Sequence, residues 1–153
     1  MKKGQTATEY LIILAVVIII ALIVVGVMGG IPGLGGNSKG QTSMAYWKTA
    51  TPVAIDSASM SPTSGVTLNI RNSGSDTITI TEIRLDGAAL TVIGANTLPA
   101  VITTGQTKPF TAATPLCSAG SYSYAVAIDY TIGTAEYTFT GNDNKLEGTC
   151  TTN

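Results

Sequence analysis

Histidine is absent from the 153 residues. That excludes Ser-His-Asp and Cys-His catalysis and every zinc site that needs an imidazole. Cysteine is scarce: Cys117 and Cys150 are the two, with no Cys-x-x-Cys spacing. Charge is scarce as well, at 11% of residues, and the net charge is −1. No basic patch appears, so nucleic acid is not an expected partner. The nine acids are scattered. Asp56, Asp129 and Glu136 are those a fold can bring together, and solvation at strand edges explains them equally well. No catalytic residue, metal site or cofactor is therefore expected, and the chain does not read as an enzyme. Asn-x-Ser/Thr is missing too: Asn37, Asn69, Asn72, Asn96, Asn142 and Asn144 all fail two residues on. Thr and Ser take the polar positions that charge leaves open, which suits an extracellular surface.

What the chain has in place of charge is one long apolar run. Leu11 to Val25 carries no polar side chain, and Gly26, Val27, Met28, Gly29 and Gly30 close it. Leu11 to Met28 as a helix would be ~27 Å long, against a hydrocarbon core of ~30 Å. The run has no polar stripe, so it predicts a helix that lies in lipid or among other apolar helices. Lys2 and Lys3 precede it, which suits a cytoplasmic flank. Glu9 stands at its mouth. An acid there is either a headgroup-level residue favoured by the helix dipole or a functional group.

Lys2-Lys3-Gly4-Gln5-Thr6-Ala7-Thr8-Glu9-Tyr10-Leu11 resembles the class III signal peptide of archaeal type IV pilins. The family pattern is a basic leader ending in Gly, then Gln, an acid four residues on, and the helix. Ala7 stands where the family often has Ser, and Ile13 where it usually has Leu. The resemblance implies cleavage by a prepilin peptidase between Gly4 and Gln5. It also implies assembly by a membrane platform with its ATPase, and a helical homopolymer on the cell surface. Cutting would free an α-amine on Gln5 with a pKa of ~8. An amine and a carboxylate among apolar helices are each costly alone and tolerable as a pair. Glu9 of one subunit is expected to meet the amine of its neighbour and set the axial register.

Gly29-Gly30-Ile31-Pro32-Gly33-Leu34-Gly35-Gly36-Asn37-Ser38-Lys39-Gly40 predicts a flexible joint. As a phosphate-cradling loop it fails on spacing, because Lys39 follows Ser38 and no strand precedes it. Gly26 and Gly30 form a Gly-x-x-x-Gly pair, which reads either as close helix approach or as fraying into the joint. The organisation expected is a leader at 1–4, an assembly or transmembrane helix at 5–30, a hinge at 31–43 and a β head at 44–153.

Strand signals fill that head. Met44–Trp47 and Pro52–Met60 read as leading strands. Val66, Leu68 and Ile70 alternate with polar residues, and Asn72-Ser73-Gly74-Ser75-Asp76 is a turn cluster. Ile78 and Ile80 alternate in one phase, Ile83 and Leu85 in the other, which predicts a bulge near Thr81-Glu82. Asp86-Gly87 is a turn. Leu90–Ile93 and Pro109–Ala112 are weaker strands. Tyr122, Tyr124, Val126, Ile128, Tyr130 and Ile132 alternate without a break, and Gly133-Thr134 turns into Tyr137 and Phe139. Even spacing makes the tyrosines packing residues rather than a sugar-stacking stripe.

The fold class expected is α+β: a long N-terminal apolar α-helix followed by an all-β, immunoglobulin-like sandwich head. The segment from Val66 to Ile80 also resembles the head of archaeal pilins. Two cysteines in an extracellular chain read as a disulfide. A Cys117–Cys150 bond would close a loop of about 34 residues, worth ~3–4 kcal/mol by loop entropy. Free thiols or a metal pair are the competing reading, without a histidine to support it.

Three functions follow. The first is a pilin that polymerises through its helix and presents the β head for adhesion. It is a membrane precursor until assembled into an extracellular filament. The second is a membrane-anchored extracellular binding domain with an uncut signal anchor. The third is a secreted domain cut near Gly29-Gly30. Swimming-filament subunits are close to the first, but their helix usually opens with a Ser-Gly-Ile-Gly-like stretch that this chain lacks.

Overall fold

The computed structural model describes residues 7–29, 34–114, 117–118 and 120–151, and within its two helices the side-chain surroundings of 8–23 and 39–49. The chain forms two compact units, Met1–Leu34 and Gly35–Asn153.

The first unit carries α1, Ala7–Gly29. The stretch with described side chains, Thr8 to Ile23, has 16 residues. Among the described residues no helix is long and apolar enough to cross a membrane. The expected α+β class with a long N-terminal apolar helix is therefore corrected: among the described residues the chain is mostly β, with 46% in strand and two α-helices.

The second helix is a further correction. α2, Leu34–Thr49, occupies the ground expected for the hinge and for a strand at Met44–Trp47. Its glycines and lack of an apolar stripe argue against a helix. Tertiary contacts form it instead. Trp47 is fully buried in the core of the β unit, and Gly40 lies close against the backbone of Gly148.

The strands follow in order: β1 Val53–Ser61, β2 Gly65–Asn72, β3 Ile78–Leu85, β4 Ala88–Ala89, β5 Val92–Ile93 and β6 Ala100–Ile102. Then come β7 Thr107–Ala112, β8 Ser121–Tyr124, β9 Val126–Ile132, β10 Ala135–Phe139 and β11 Leu146–Thr149. One sheet has the order β1-β2-β7-β5, and a second the order β10-β9-β3-β4, with β6 also on β3. β8 and β11 make a separate ribbon. In an immunoglobulin-type sandwich one sheet runs A-B-E-D and the other G-F-C. Here β1-β2-β7-β5 and β10-β9-β3 follow that order, and β4, β6, β8 and β11 are additions.

Alternation explains the core. Val66, Leu68 and Ile70 of β2 meet Ile78, Ile80, Ile83 and Leu85 of β3, and Val126, Ile128 and Tyr130 of β9, in one buried cluster. The phase change in β3 is a bulge: Ile80 pairs with Tyr130 and Glu82 with Asp129, leaving Thr81 as the extra residue. Asp86 and Gly87, both at positive φ, turn β3 into β4. The unbroken alternation from Tyr122 to Ile132 holds, but two strands carry it: the ladder breaks at Ala125, because β8 pairs with β11 whereas β9 pairs with β3 and β10.

Candidate assembly surface and the polar clamps of the β unit

From Leu11 to Val25 α1 is built from Ala, Leu, Ile and Val alone, and away from its ends the backbone bonds of a helix are satisfied within the segment. Its large side chains from Tyr10 to Ile23 stand exposed, from 40% at Leu14 to 69% at Tyr10. No stripe of this surface is polar. Glu9 lies in the first turn, where the helix dipole favours a negative charge, and it too is exposed. Gly4 and Gln5, the expected cleavage site, lie outside the described residues, as does Gly30 of the Gly-x-x-x-Gly pair.

In the β unit Cys117 and Cys150 are joined as a disulfide, with their Cα atoms 6.1 Å apart. The bond ties the segment ahead of β8 to the end of β11.

Three polar clamps hold the unit together. The first is at a bulge in β1: Ile55 pairs with Ile70 and Ser57 with Asn69, so Asp56 is the extra residue. Freed from the alternation, its carboxylate accepts hydrogen bonds from Arg71 Nε at 2.9 Å and Thr107 Oγ1 at 2.9 Å. Arg71 Nη2 donates to the carbonyl of Lys48 at 2.9 Å, satisfying one of the last carbonyls of α2. Burial raises the Asp56 pKa. The hydrogen bonds from Arg71 and Thr107, with the charges of Arg71 and Lys48, outweigh it and hold the group below its ordinary value of 3.8.

The second clamp crosses the other sheet. Arg84 Nη2 of β3 donates to Asp129 Oδ1 of β9 at 2.8 Å, and Thr138 Oγ1 of β10 donates to the same oxygen at 2.6 Å. The third joins the two sheets. Asn72, fully buried at the end of β2, donates through Nδ2 to the carbonyls of Asp76 (2.7 Å) and Ile102 of β6 (2.9 Å). Its Oδ1 accepts the Gly74 N–H at 3.0 Å.

Asp56, Asp129 and Glu136 do not form one cluster: Asp56 is in β1 of one sheet, the other two in β9 and β10 of the other. Among the described residues no three Asp, Glu or Cys side chains gather as a metal site. A groove of about 540 Å³ lies between α2 and the last strand region, lined among others by Lys39, Ser43, Tyr46, Lys145 and Glu147. It mixes both charge signs.

Tyr122 and Tyr130 are buried, and burial pushes both phenols up, Tyr130 with help from Tyr137. Tyr130 stacks on Tyr137 with ring centroids 5.5 Å apart, and Tyr122 on Tyr124 at 6.2 Å. They pack, and only Tyr137 of these is largely exposed.

Sequence reasoning missed Arg71 as a clamp residue, and it missed Ser43, whose Oγ donates to the Lys145 carbonyl and accepts the Glu147 N–H. A bulge at Asp56 leaves a trace, an acid interrupting Val53, Ala54 and Ile55. Ser43 has no signal once α2 itself goes unseen. Comparison with protein-family models gives no match, and comparison with curated proteins gives none either.

Proposed function

We propose that the chain is a structural subunit of an extracellular filament of the type IV pilus class, assembled through α1, with the β unit facing outward for adhesion. One observation carries the reading: between Tyr10 and Ile23 the apolar side chains of α1 are exposed on every side, with no polar stripe. Contiguous apolar surface of this kind marks a contact site. Each fully covered Leu, Ile or Val contributes ~1.5–3 kcal/mol, so copies of α1 packed on one another would be strongly stabilised. The class III leader pattern and the position of Glu9 support the same reading. On it, the precursor sits at the membrane, a prepilin peptidase removes residues 1–4, and a platform with its ATPase adds subunits to the polymer.

N-terminal mass analysis of protein from its native cells tests this. A mature chain beginning at Gln5 supports the filament subunit. A chain beginning at Met1 shifts the reading to a membrane-anchored binding domain, and one beginning near Gly30 to a secreted domain.

A further inference from the structure

We propose that the Cys117–Cys150 disulfide controls how firmly the first described turns of α2 sit on the β unit, so that α2 has one permanent anchor and one redox-dependent anchor. The proposal concerns Gly35–Asn153 alone and does not rest on the filament reading.

The permanent anchor is the C-terminal end of the helix. Trp47 is fully buried, its ring edge-on to Phe139 with centroids 5.9 Å apart and pressed against Gly141. Next to it the Lys48 carbonyl is held by Arg71, which Asp56 holds in turn. None of these residues belongs to the β8–β11 ribbon.

The other anchor lies one to two turns earlier, where Ser43 and Gly40 meet β11 and the residue before it, beside Met44, which packs half-buried on the core. Ser43 Oγ donates to the Lys145 carbonyl at 2.8 Å and accepts the Glu147 N–H at 2.9 Å. Gly40 faces Gly148 so closely that a Cβ on Gly40 would lie 3.3 Å from the Gly148 Cα. β11 is a weak support for this. It pairs only with β8, through four residue pairs, and the ribbon is hydrogen-bonded as a strand to neither large sheet. A two-stranded ribbon is marginal by itself.

Leu146 and Tyr122 of the ribbon are buried in the core, and further support lies at its far end. Cys150 N donates to Gly120 O at 2.7 Å, Thr151 N to Met60 O at 2.9 Å, and the disulfide closes the same end. That end is two residues from Gly148, where α2 makes its closest approach. The only covalent tie of the ribbon outside the chain itself is therefore next to the surface that α2 leans on.

A dithiol reductant would open the bond. Two electrons and two protons pass to Cys117 and Cys150, which become thiols, and the reductant closes to its own disulfide. Local openings of this kind differ in free energy across one fold, so a loosened ribbon frees its part of α2 without unfolding the rest.

Hydrogen–deuterium exchange on the full chain in detergent, before and after dithiothreitol, tests the proposal. The expected result is exchange faster by about tenfold or more at the amides of 40–45 and 146–149, with β2, β3 and β9 unchanged. Trp47 emission stays where it was. Unchanged exchange at 40–45 after verified reduction overturns the proposal. So does a red shift of Trp47 emission, or a uniform loss of protection, because either means the bond holds the whole unit. Ser43→Ala leaves the disulfide intact and is expected to free 40–45 in oxidised protein. Exchange there at the wild-type rate would show that β11 is not the anchor, and overturns the proposal equally.

Discussion

Gly141 lies flat against the indole of Trp47: a Cβ placed on it would stand 2.6 Å from Cζ2 and closer still to Cη2. Its φ of +67° is also one that side-chain-bearing residues rarely adopt. Two penalties therefore coincide at one residue, backbone strain and an overpacked ring. Gly141→Ala is expected to lower stability by ~2–4 kcal/mol. Urea titration followed by Trp47 fluorescence measures it. A loss below about 0.5 kcal/mol would mean the ring moves aside at no cost.

Asn72 is expected to be the most costly single polar residue of the β unit. Asn72→Ala strands the buried Ile102 carbonyl and takes the partner from the part-buried Asp76 carbonyl and Gly74 N–H. Each abandoned group costs ~1–3 kcal/mol, so a loss of ~3 kcal/mol or more is expected in thermal or urea unfolding. Asn72→Asp keeps the acceptor and loses both donors, and is expected to be no better.

The Asp56–Arg71 pair gives a pH signature. The folded pKa of Asp56 lies below its unfolded value of 3.8. Its contribution is therefore present above pH 3.8 and disappears as pH falls through the lower folded value. Asp56→Asn is expected to be less stable than wild type by a constant amount at neutral pH. The gap closes as the solution is acidified below 3.8. Both side chains are about a third exposed, at 33% and 32%, so the gap is small and shrinks with added salt. A gap that widens in acid contradicts the assignment.

Glu9→Gln tests the filament reading at its proposed register residue. Cleavage after Gly4 is expected to proceed, because the leader is untouched, while filaments seen by electron microscopy of cells become rare. Wild-type filament numbers in that variant remove Glu9 from the assembly step.

Much of the β unit was legible in the residues. Val66-Thr67-Leu68 and Ile78-Thr79-Ile80 carry a two-residue period that only a half-buried strand satisfies. The switch of phase near Thr81-Glu82 marks the bulge in β3, and Gly133-Thr134 marks the turn from β9 to β10. Partnership was not legible. Nothing local says that Tyr124 belongs to a strand paired with Leu146 while Val126 belongs to one paired with Leu85. α2 was hidden for the same reason. Gly35, Gly36 and Gly40 argue for a joint, and the forces that override them come from residues a hundred positions away, Gly141, Lys145 and Glu147. The apolar run was plain, but its bearing on fold class was overstated, since most of the chain's order lies in strands.

Ser43 offers β11 one acceptor and one donor, set against the Glu147 N–H and the Lys145 carbonyl as a neighbouring strand would set them. With Gly40 lying at backbone distance from Gly148, the helix fills the place where one more strand would join the ribbon. A strand edge left open invites foreign chains to add to it, with fibre growth as the hazard. On the side of β11 that faces Ser43, that invitation is withdrawn by a single hydroxyl and two missing side chains.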